Sequence, residues 1–448
     1  MNVKTRWNNS PFKPEKVPFF YGWVILFAAT IGLLASAPGQ TMGVSTFTDY
    51  LLDNIHINRN QLSTAYMIGT IGSSLLLTYA GKMYDRYGAR WVGMIISVIL
   101  AIVLLLLSQT DRIIKLFIKD SGTPIYIGFT VAVLVILFFA LRFSGQGVLT
   151  MVSRNMLMKW FVAKRGLVNG ISSVFVAIGF SLAPLTFDML IQGTSWRSAW
   201  LIMAVGIGVF FTIFAWLFFR DNPEDLNLVP DGFKHENKKR SVIIKPFKQF
   251  TLSEAKITPA FWLFSLPLGI YALYITGFTF HLVSIFENVN LSRDKALAVF
   301  IPSSVISVVV SLVGGYISDK IRLKYLLYIN LAAQILAMFC LSRLNDGIYY
   351  FGFIAGNGIV SGLYNVLMAV VWPRFYGREH LGRITGFVMS IIVFSSALGP
   401  IIFSLSSSTF GSYGFAISGL VILLLVITAF SFKADNPQDK FDISAQNN

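Results

Sequence analysis

Residues 81–91 read GKMYDRYGARW, and residues 315–325 read GYISDKIRLKY. They share the skeleton Gly-x-x-x-Asp-basic-x-x-x-basic, with Gly88 of the first copy replaced by Arg322 in the second. Each copy sits between two long apolar runs. A run of about 20 apolar residues is what a helix needs to cross a bilayer. Working outward from the two copies, twelve such runs appear: 20–46, 62–81, 91–109, 125–157, 166–190, 198–219, 260–282, 295–317, 323–342, 347–371, 381–405 and 412–432. They are too long and too continuously apolar for barrel strands. The expectation is an all-α membrane protein of twelve transmembrane helices in two six-helix halves.

Composition agrees. The chain is 55% hydrophobic and only 13% charged, more apolar surface than a soluble fold of this size can hide. The net charge of +15 does not imply nucleic acid, because the charges fall in short loops. The termini and even-numbered loops carry 27 Lys and Arg and the opposite loops 8, which makes the basic side cytoplasmic. The lone cysteine, Cys340, excludes an intrachain disulfide and reads as a packing residue. The polar, basic segment Met1 to Pro18 shows no cleaved signal peptide.

The domain reading is an N-terminal half (1–219), a cytoplasmic linker (220–259) and a C-terminal half (260–448). The linker contains DNPEDLNLVPDG and then KHENKKR, which read as polar and flexible, and leads into FTLSEAKITPAFW. That last segment predicts a short interfacial helix capped by Ser253 or Thr251, with Pro259 opening the next span. A second echo follows spans 4 and 10: WFVAKRGLVNG (160–170) and WPRFYGREHLGRITG (372–386) each end in Gly-x-x-x-Gly. Similar halves with a site at their interface are a known transporter architecture.

The 81–91 loop resembles the cytoplasmic signature of the major facilitator superfamily, and the resemblance runs from Tyr21 to about Phe432. DNPEDLNLVPDG, TPAFW and KWFVAKRGLVNG resemble the branch of monocarboxylate and oxalate/formate transporters and their uncharacterised bacterial relatives. The resemblance implies the major facilitator fold and a gating network that holds the halves together on the cytoplasmic side. Its members here are Gly81, Asp85, Arg86, Gly88 and Arg90, with Asp319 and Lys320 in the second copy. The competing reading is that these charges only fix topology.

Arg142 stands near the middle of span 4 in ALRFSGQGVLTMVS. Placing its charge in lipid costs from ~2.5 to more than 10 kcal/mol, so it must face protein or water. At about 100° per residue Gln146 lies about 40° from it, Thr150 about 80° and Ser153 about 20°, which makes a polar stripe. A guanidinium can fork to a carboxylate, so Arg142 is a candidate anchor for an anionic substrate. The other reading is a structural arginine satisfied by backbone carbonyls and glutamine side chains. An arginine is frequent at this place in the resembling family, where roles in proton coupling are also considered.

Weaker stripes are Ser36, Gln40 and Thr41 around the Pro38-Gly39 break; Tyr66, Thr70 and Ser73; Tyr271, Tyr274, Phe278 and His281; and Asn357, Ser361 and Tyr364. Gln40, Tyr66, Tyr274, Asn357 and Tyr364 join Arg142 and Gln146 as candidate substrate-binding residues. Any one of them is more often a helix-packing residue than a ligand contact. The sequence also departs from the resembling branch: ALAVFIPSSVISVVVSLVGG (296–315) of span 8 and ITGFVMSIIVFSSALGPIIFSLSSS (384–408) of span 11 carry no charge, so a dianion held by two cations is not expected. No acid lies at the midplane, so a coupled proton needs Asp49, Asp188 or His281, or a substrate that carries its own proton.

The functional expectation is a secondary active transporter of a small organic solute, most simply a monocarboxylate-type anion, by alternating access, as symporter or antiporter. The rivals are an exporter of drug-like or amphipathic compounds, which would want a midplane acid, and a non-transporting membrane sensor. No phosphate loop or metal-ligand cluster supports an enzyme, a cofactor or a bound metal. Expected partners are the substrate, a candidate proton and the bilayer, with no nucleic acid. The protein is expected to be a monomer in the plasma membrane (the inner membrane of a bacterium), with both termini cytoplasmic.

Overall fold

The loop expected over residues 82–90 shrinks to one residue. In the computed structural model, which describes residues 10–118, 123–232 and 248–441, helical structure runs up to Gly88 and resumes directly after it. Gly88 has φ +84° and ψ 171°, a conformation that a side chain resists. The second copy reverses differently. Asp319 to Arg322 make a short turn and Arg322 is extended, at φ −68° and ψ 129°. An arginine can therefore stand where the first copy needs glycine.

Every regular element among the described residues is helical. α1 (Gly22–Ala35) ends in a 3-10 turn at Ala37–Gly39, and α2 (Thr41–Ile55) follows. Pro38 cannot donate to a helical ladder, and the first span is broken at the Pro38-Gly39 pair that the sequence marks. α3 (Arg59–Ser108) holds spans 2 and 3 on either side of Gly88. It starts with a capping box: Asn58 Oδ1 accepts from the Gln61 N–H, and Gln61 Oε1 accepts from the Asn58 N–H, both at 2.9 Å. α4 (Thr110–Phe117) is short. α5 (Pro124–Trp160) is entered through Thr123, whose hydroxyl accepts from the Tyr126 N–H at 3.2 Å. α6 (Arg165–Gly193) and α7 (Trp196–Phe218) complete the first six spans.

The start of the linker is folded. Asp221, Pro223 and Leu226 are buried, and 3-10 turns form at Pro223–Leu226 and Pro230–Gly232. DNPEDLNLVPDG is thus a packed segment, whereas KHENKKR lies outside the described residues. The expected interfacial helix is α8 (Leu252–Ile257), with Thr251 as its cap in a capping box with Glu254. Lys248 and the Thr251 donors hold the Glu254 carboxyl down at about 2. Then follow α9 (Pro259–Glu287), α10 (Arg293–Ser318), α11 (Leu323–Ser342), α12 (Ile348–Phe375), α13 (Leu381–Phe410) and α14 (Gly414–Phe430).

Ten described helices are long and apolar enough to cross a membrane. α3 contains two spans, and α1 with the turn behind it supplies the first, so the twelve-span reading stands. The chain divides into two compact units. Unit 1 is Met1–Trp160, Phe175–Gly232 and Thr385–Ser390; unit 2 is Phe161–Val174, Phe233–Ile384 and Ile391–Asn448. Small residues set the packing inside each. In unit 2, Gly358 and Gly362 of α12 lie against the Ser303 and Ser307 carbonyls of α10. The Ser303 and Ser311 hydroxyls donate to the Ile354 and Gly362 carbonyls at 3.3 and 3.2 Å.

The repeat seen in the sequence recurs as geometry. In unit 2, Gly170 of α6 meets the Ser311 carbonyl of α10. In unit 1, Gly386 of α13 meets the Leu77 carbonyl of α3. Ser311 and Leu77 each lie four residues before the glycine that opens a signature copy. The Gly-x-x-x-Gly echo is thus the surface that receives the signature helix.

Candidate functional site

In unit 1 two irregularities meet. The Ala37–Gly39 turn presses on α5 so closely that a Cβ on Gly39 would stand 2.6 Å from the Gly145 Cα and 2.9 Å from the Leu141 carbonyl oxygen. At this contact α5 widens into a π-helical segment, Arg142–Leu149. Such segments cluster at functional sites. A π turn takes more residues per revolution than the 100° arithmetic assumes, yet Thr150 still faces the break, where Gln40 Nε2 donates to its hydroxyl at 3.4 Å. The Thr150 hydroxyl also reaches the Gly145 carbonyl and the Ser36 hydroxyl, both at 3.3 Å. Ser153 is buried beside Gly32 of α1.

Arg142 is 1% exposed. Its Nη1 donates to the Gly39 carbonyl at 3.1 Å, and its guanidinium lies 5.3 Å from the centre of the Tyr66 ring. The Tyr66 hydroxyl is fixed by Thr41 at 3.1 Å. The Arg142 Nε has no hydrogen-bond partner, and among the described residues no carboxylate pairs with it. Gln40 donates to the Ser36 hydroxyl at 3.0 Å, and the buried Gln146 Oε1 is unpartnered. The structure therefore gathers Gln40, Tyr66, Arg142 and Gln146 around the Pro38-Gly39 break. Thr70 and Ser73 are spent on the backbone of α3 itself.

Unit 2 carries an aromatic group. The Tyr271 and Tyr364 rings lie 5.2 Å apart, Tyr271 and Tyr274 6.4 Å, and Tyr274 and Phe278 6.1 Å. The buried Tyr274 hydroxyl and Asn357 Oδ1 have no partner. A buried polar atom without a partner costs about 1–3 kcal/mol, so these atoms are available to a ligand.

The signature residues fall into separate places. Gly81 adjoins Gly386. Arg86 lies over the Tyr87 ring at 5.2 Å. Gly88 packs on Asp221, and a Cβ there would stand 3.1 Å from its carboxylate. Arg90 is buried and donates to the carbonyls of Ser10 and Trp216. Asp221 accepts from Lys159 Nζ at 3.1 Å and from the Ala89 N–H at 3.3 Å. Lys159 also sits 4.7 Å over the Tyr84 ring. The Lys159–Asp221 pair was missed in the sequence. Its one signal was an acid placed immediately after a span, next to an arginine.

In the second copy, Asp319 accepts from the Gly166 N–H at 2.9 Å and the Leu167 N–H at 3.1 Å, at the start of α6. A carboxylate at a helix N-terminus meets both free donors and the positive end of the dipole. Burial nevertheless pushes the Asp319 carboxyl above the ordinary carboxylate value, against those donors and the charges of Arg374 and Arg165. Arg374 donates to the Ser318 carbonyl at 2.6 Å, and Lys320 turns out to the Tyr316 hydroxyl.

Twelve apolar spans, a duplicated helix-junction signature and a buried cation define a multi-pass secondary transporter. The family model of the Major Facilitator Superfamily matches residues 29–356, and the chain belongs to that superfamily, whose members move solutes by alternating access. It is 23% identical over 372 residues to the uncharacterised MFS-type transporter YhjX of Escherichia coli K12, covering 82% of this chain and 83% of that one. It is 19% identical over 314 residues to a hexuronate transporter of Bacillus subtilis 168, covering 70% and 67%. Among solved structures it resembles the proton:xylose symporter XylE bound to 6-bromo-6-deoxy-D-glucose, with TM-score 0.67 at 15% identity, covering 93% and 98% of the two chains. It also resembles a bacterial homologue of the iron transporter ferroportin in an outward-facing state, with TM-score 0.63 at 13% identity, covering 92% and 99%.

Proposed function

We propose that the protein carries a small organic monoanion with one carboxylate, bound at Arg142. The observation behind this is a permanent charge, 1% exposed, that no carboxylate of the described residues neutralises. Burying such a charge is costly unless a counter-charge arrives, and a substrate carboxylate is that counter-charge. Gln40, Tyr66 and Gln146 surround the cation with neutral hydrogen-bonding groups. The relative named a hexuronate transporter acts on a sugar with one carboxylate, which fits one cation in a polar setting better than it fits a dianion or a cationic drug. Within unit 2, Tyr274, Asn357 and Tyr364 form a separate candidate surface, whose unpartnered Tyr274 hydroxyl and Asn357 Oδ1 suit an uncharged polar group.

The gating reading rests on Asp319. Its carboxylate caps α6, and by the repeat Asp85 holds the corresponding capping role in the first copy. The six-span halves, 1–219 and 260–448, would then be the moving bodies, with both termini cytoplasmic.

A second role for Arg142 has its own support: the bond to the Gly39 carbonyl ties α5 to the broken first span. The two roles separate in a ligand screen. Purified protein is heated with monocarboxylates (lactate, glucuronate), dicarboxylates, neutral amino acids or cationic drugs, since a bound ligand raises Tm by mass action. Monocarboxylates should raise Tm. Stabilisation by cationic drugs alone would overturn the anion reading.

A further inference from the structure

The box DNPED at 221–225, after the sixth span, recurs as DNPQD at 435–439, after the twelfth. Each copy makes a 3-10 turn from its proline, Pro223–Leu226 and Pro437–Phe441. The copies differ at one position, Glu224 against Gln438. Gln438 is 4% exposed. Its Nε2 donates to the Lys248 carbonyl at 2.8 Å and to the Phe375 carbonyl at 3.0 Å, and its Oε1 accepts from the Lys248 N–H at 3.0 Å. Carbonyls only accept, so a carboxylate cannot make the two donated bonds and an amide is needed here.

Three consecutive linker residues of unit 2 each hold a different partner. Lys248 holds Gln438, and its ammonium lies 5.0 Å from the centres of the Phe250 and Phe441 rings. Gln249 Oε1 accepts from the Arg378 N–H at 2.8 Å and the Glu379 N–H at 3.1 Å. The Phe250 N–H donates to the Tyr376 carbonyl at 2.9 Å, and the two rings pack edge to face at 5.5 Å. The last turn of a helix leaves carbonyls without donors of its own. For α12, Gln438 and Phe250 supply donors at Phe375 and Tyr376. The turn that joins α12 to α13 bends at Gly377, where φ is +88°. Successive N–H groups at such a bend form a hollow for an oxygen, and the Gln249 side chain fills it.

We propose that Gln438 is a positioning residue for the transport cycle. Through Lys248 it keeps Gln249 seated in the turn, so that α12 and the entry of α13 reorient as one piece instead of flexing at Gly377. The segment after the twelfth span is then part of the moving machinery.

Hydrogen–deuterium exchange of the full-length protein in detergent, read over peptides spanning 248–251 and 376–381, tests the clasp. Gln438→Glu keeps the size of the side chain but cannot donate to either carbonyl. Exchange at the Phe250, Arg378 and Glu379 amides should then rise about tenfold or more. Gln249→Leu, which leaves Gln438 in place, should have the same effect at Arg378 and Glu379. Gln249→Glu, whose carboxylate still accepts from both N–H groups, should match the wild type. Faster exchange confined to 431–441 in Gln438→Glu, or unchanged exchange at 376–381 in Gln249→Leu, overturns the proposal. In proteoliposomes with labelled L-lactate as probe, Gln438→Glu should lower the maximal uptake rate about threefold or more and leave KM within about twofold. An unchanged maximal rate refutes the positioning role. If the wild type moves no lactate, the anion reading has failed, and exchange at 376–381 still decides whether α12 and α13 are held as one piece.

Discussion

Replacing Asp221 by alanine leaves the Lys159 ammonium at a site where its side chain is 4% exposed. At 3.1 Å and an effective dielectric of about 20, the lost attraction is about 5 kcal/mol. Breaking a buried pair from one side typically costs about 3–5 kcal/mol, because the remaining charge stays desolvated. The Ala89 N–H also loses its acceptor, a further cost of about 1–3 kcal/mol that overlaps with the first. Asp221→Ala should therefore lower stability by about 3–5 kcal/mol. Removing both charges, in Lys159→Met with Asp221→Leu, should cost at most about 2 kcal/mol, since no charge is left buried. Equilibrium unfolding in mixed detergent micelles across the four-member cycle gives the coupling energy directly. A single-mutant cost below about 1 kcal/mol, or costs that simply add in the double mutant, would refute the view that this pair locks the junction at Gly88.

Arg142→Lys keeps a donor for the Gly39 carbonyl but loses the fork, so affinity for a monocarboxylate should fall by about tenfold and that for a neutral solute much less; equal losses would make Arg142 structural. Asp85→Asn should abolish uptake while the amount of protein in the membrane stays normal, and normal uptake would remove the capping role. The Asp319 carboxyl has a raised folded value, so its stabilisation is full below its unfolded value near 3.8 and is lost as pH rises through the folded one. The Tm of Asp319→Asn relative to wild type should therefore increase with pH over that window, and a flat difference would contradict the burial argument.

The spans were legible because hydrophobic length is a local property, and most of their ends fall close to expectation, although the first span runs on in helix to Ile55 and the second nearly to Gly88. Pro259 and Thr251 were legible because capping is local too. Three features were not. The π segment at Arg142–Leu149 lies where α5 meets Gly39, a contact 103 positions apart in the chain, and spacing along one helix does not reveal it. Gly88 looked like one residue of a loop, whereas it is the whole reversal. Lys159 and Asp221 are separated by 62 positions, and each alone resembles a topology charge. For the substrate cluster, residue types and spacing picked out Gln40, Tyr66, Arg142 and Gln146. The sequence did not show that a broken first span would bring them together.

The two signature copies also differ in slack. The first turns on one glycine wedged against a buried carboxylate, so its length is fixed to the residue. The second turns over Asp319 to Arg322, with a surface lysine in the middle. The two junctions are thus not interchangeable. An inserted tag or protease site has room in the second junction and none in the first, and a swap of the two segments would carry a side chain into the place where only glycine fits.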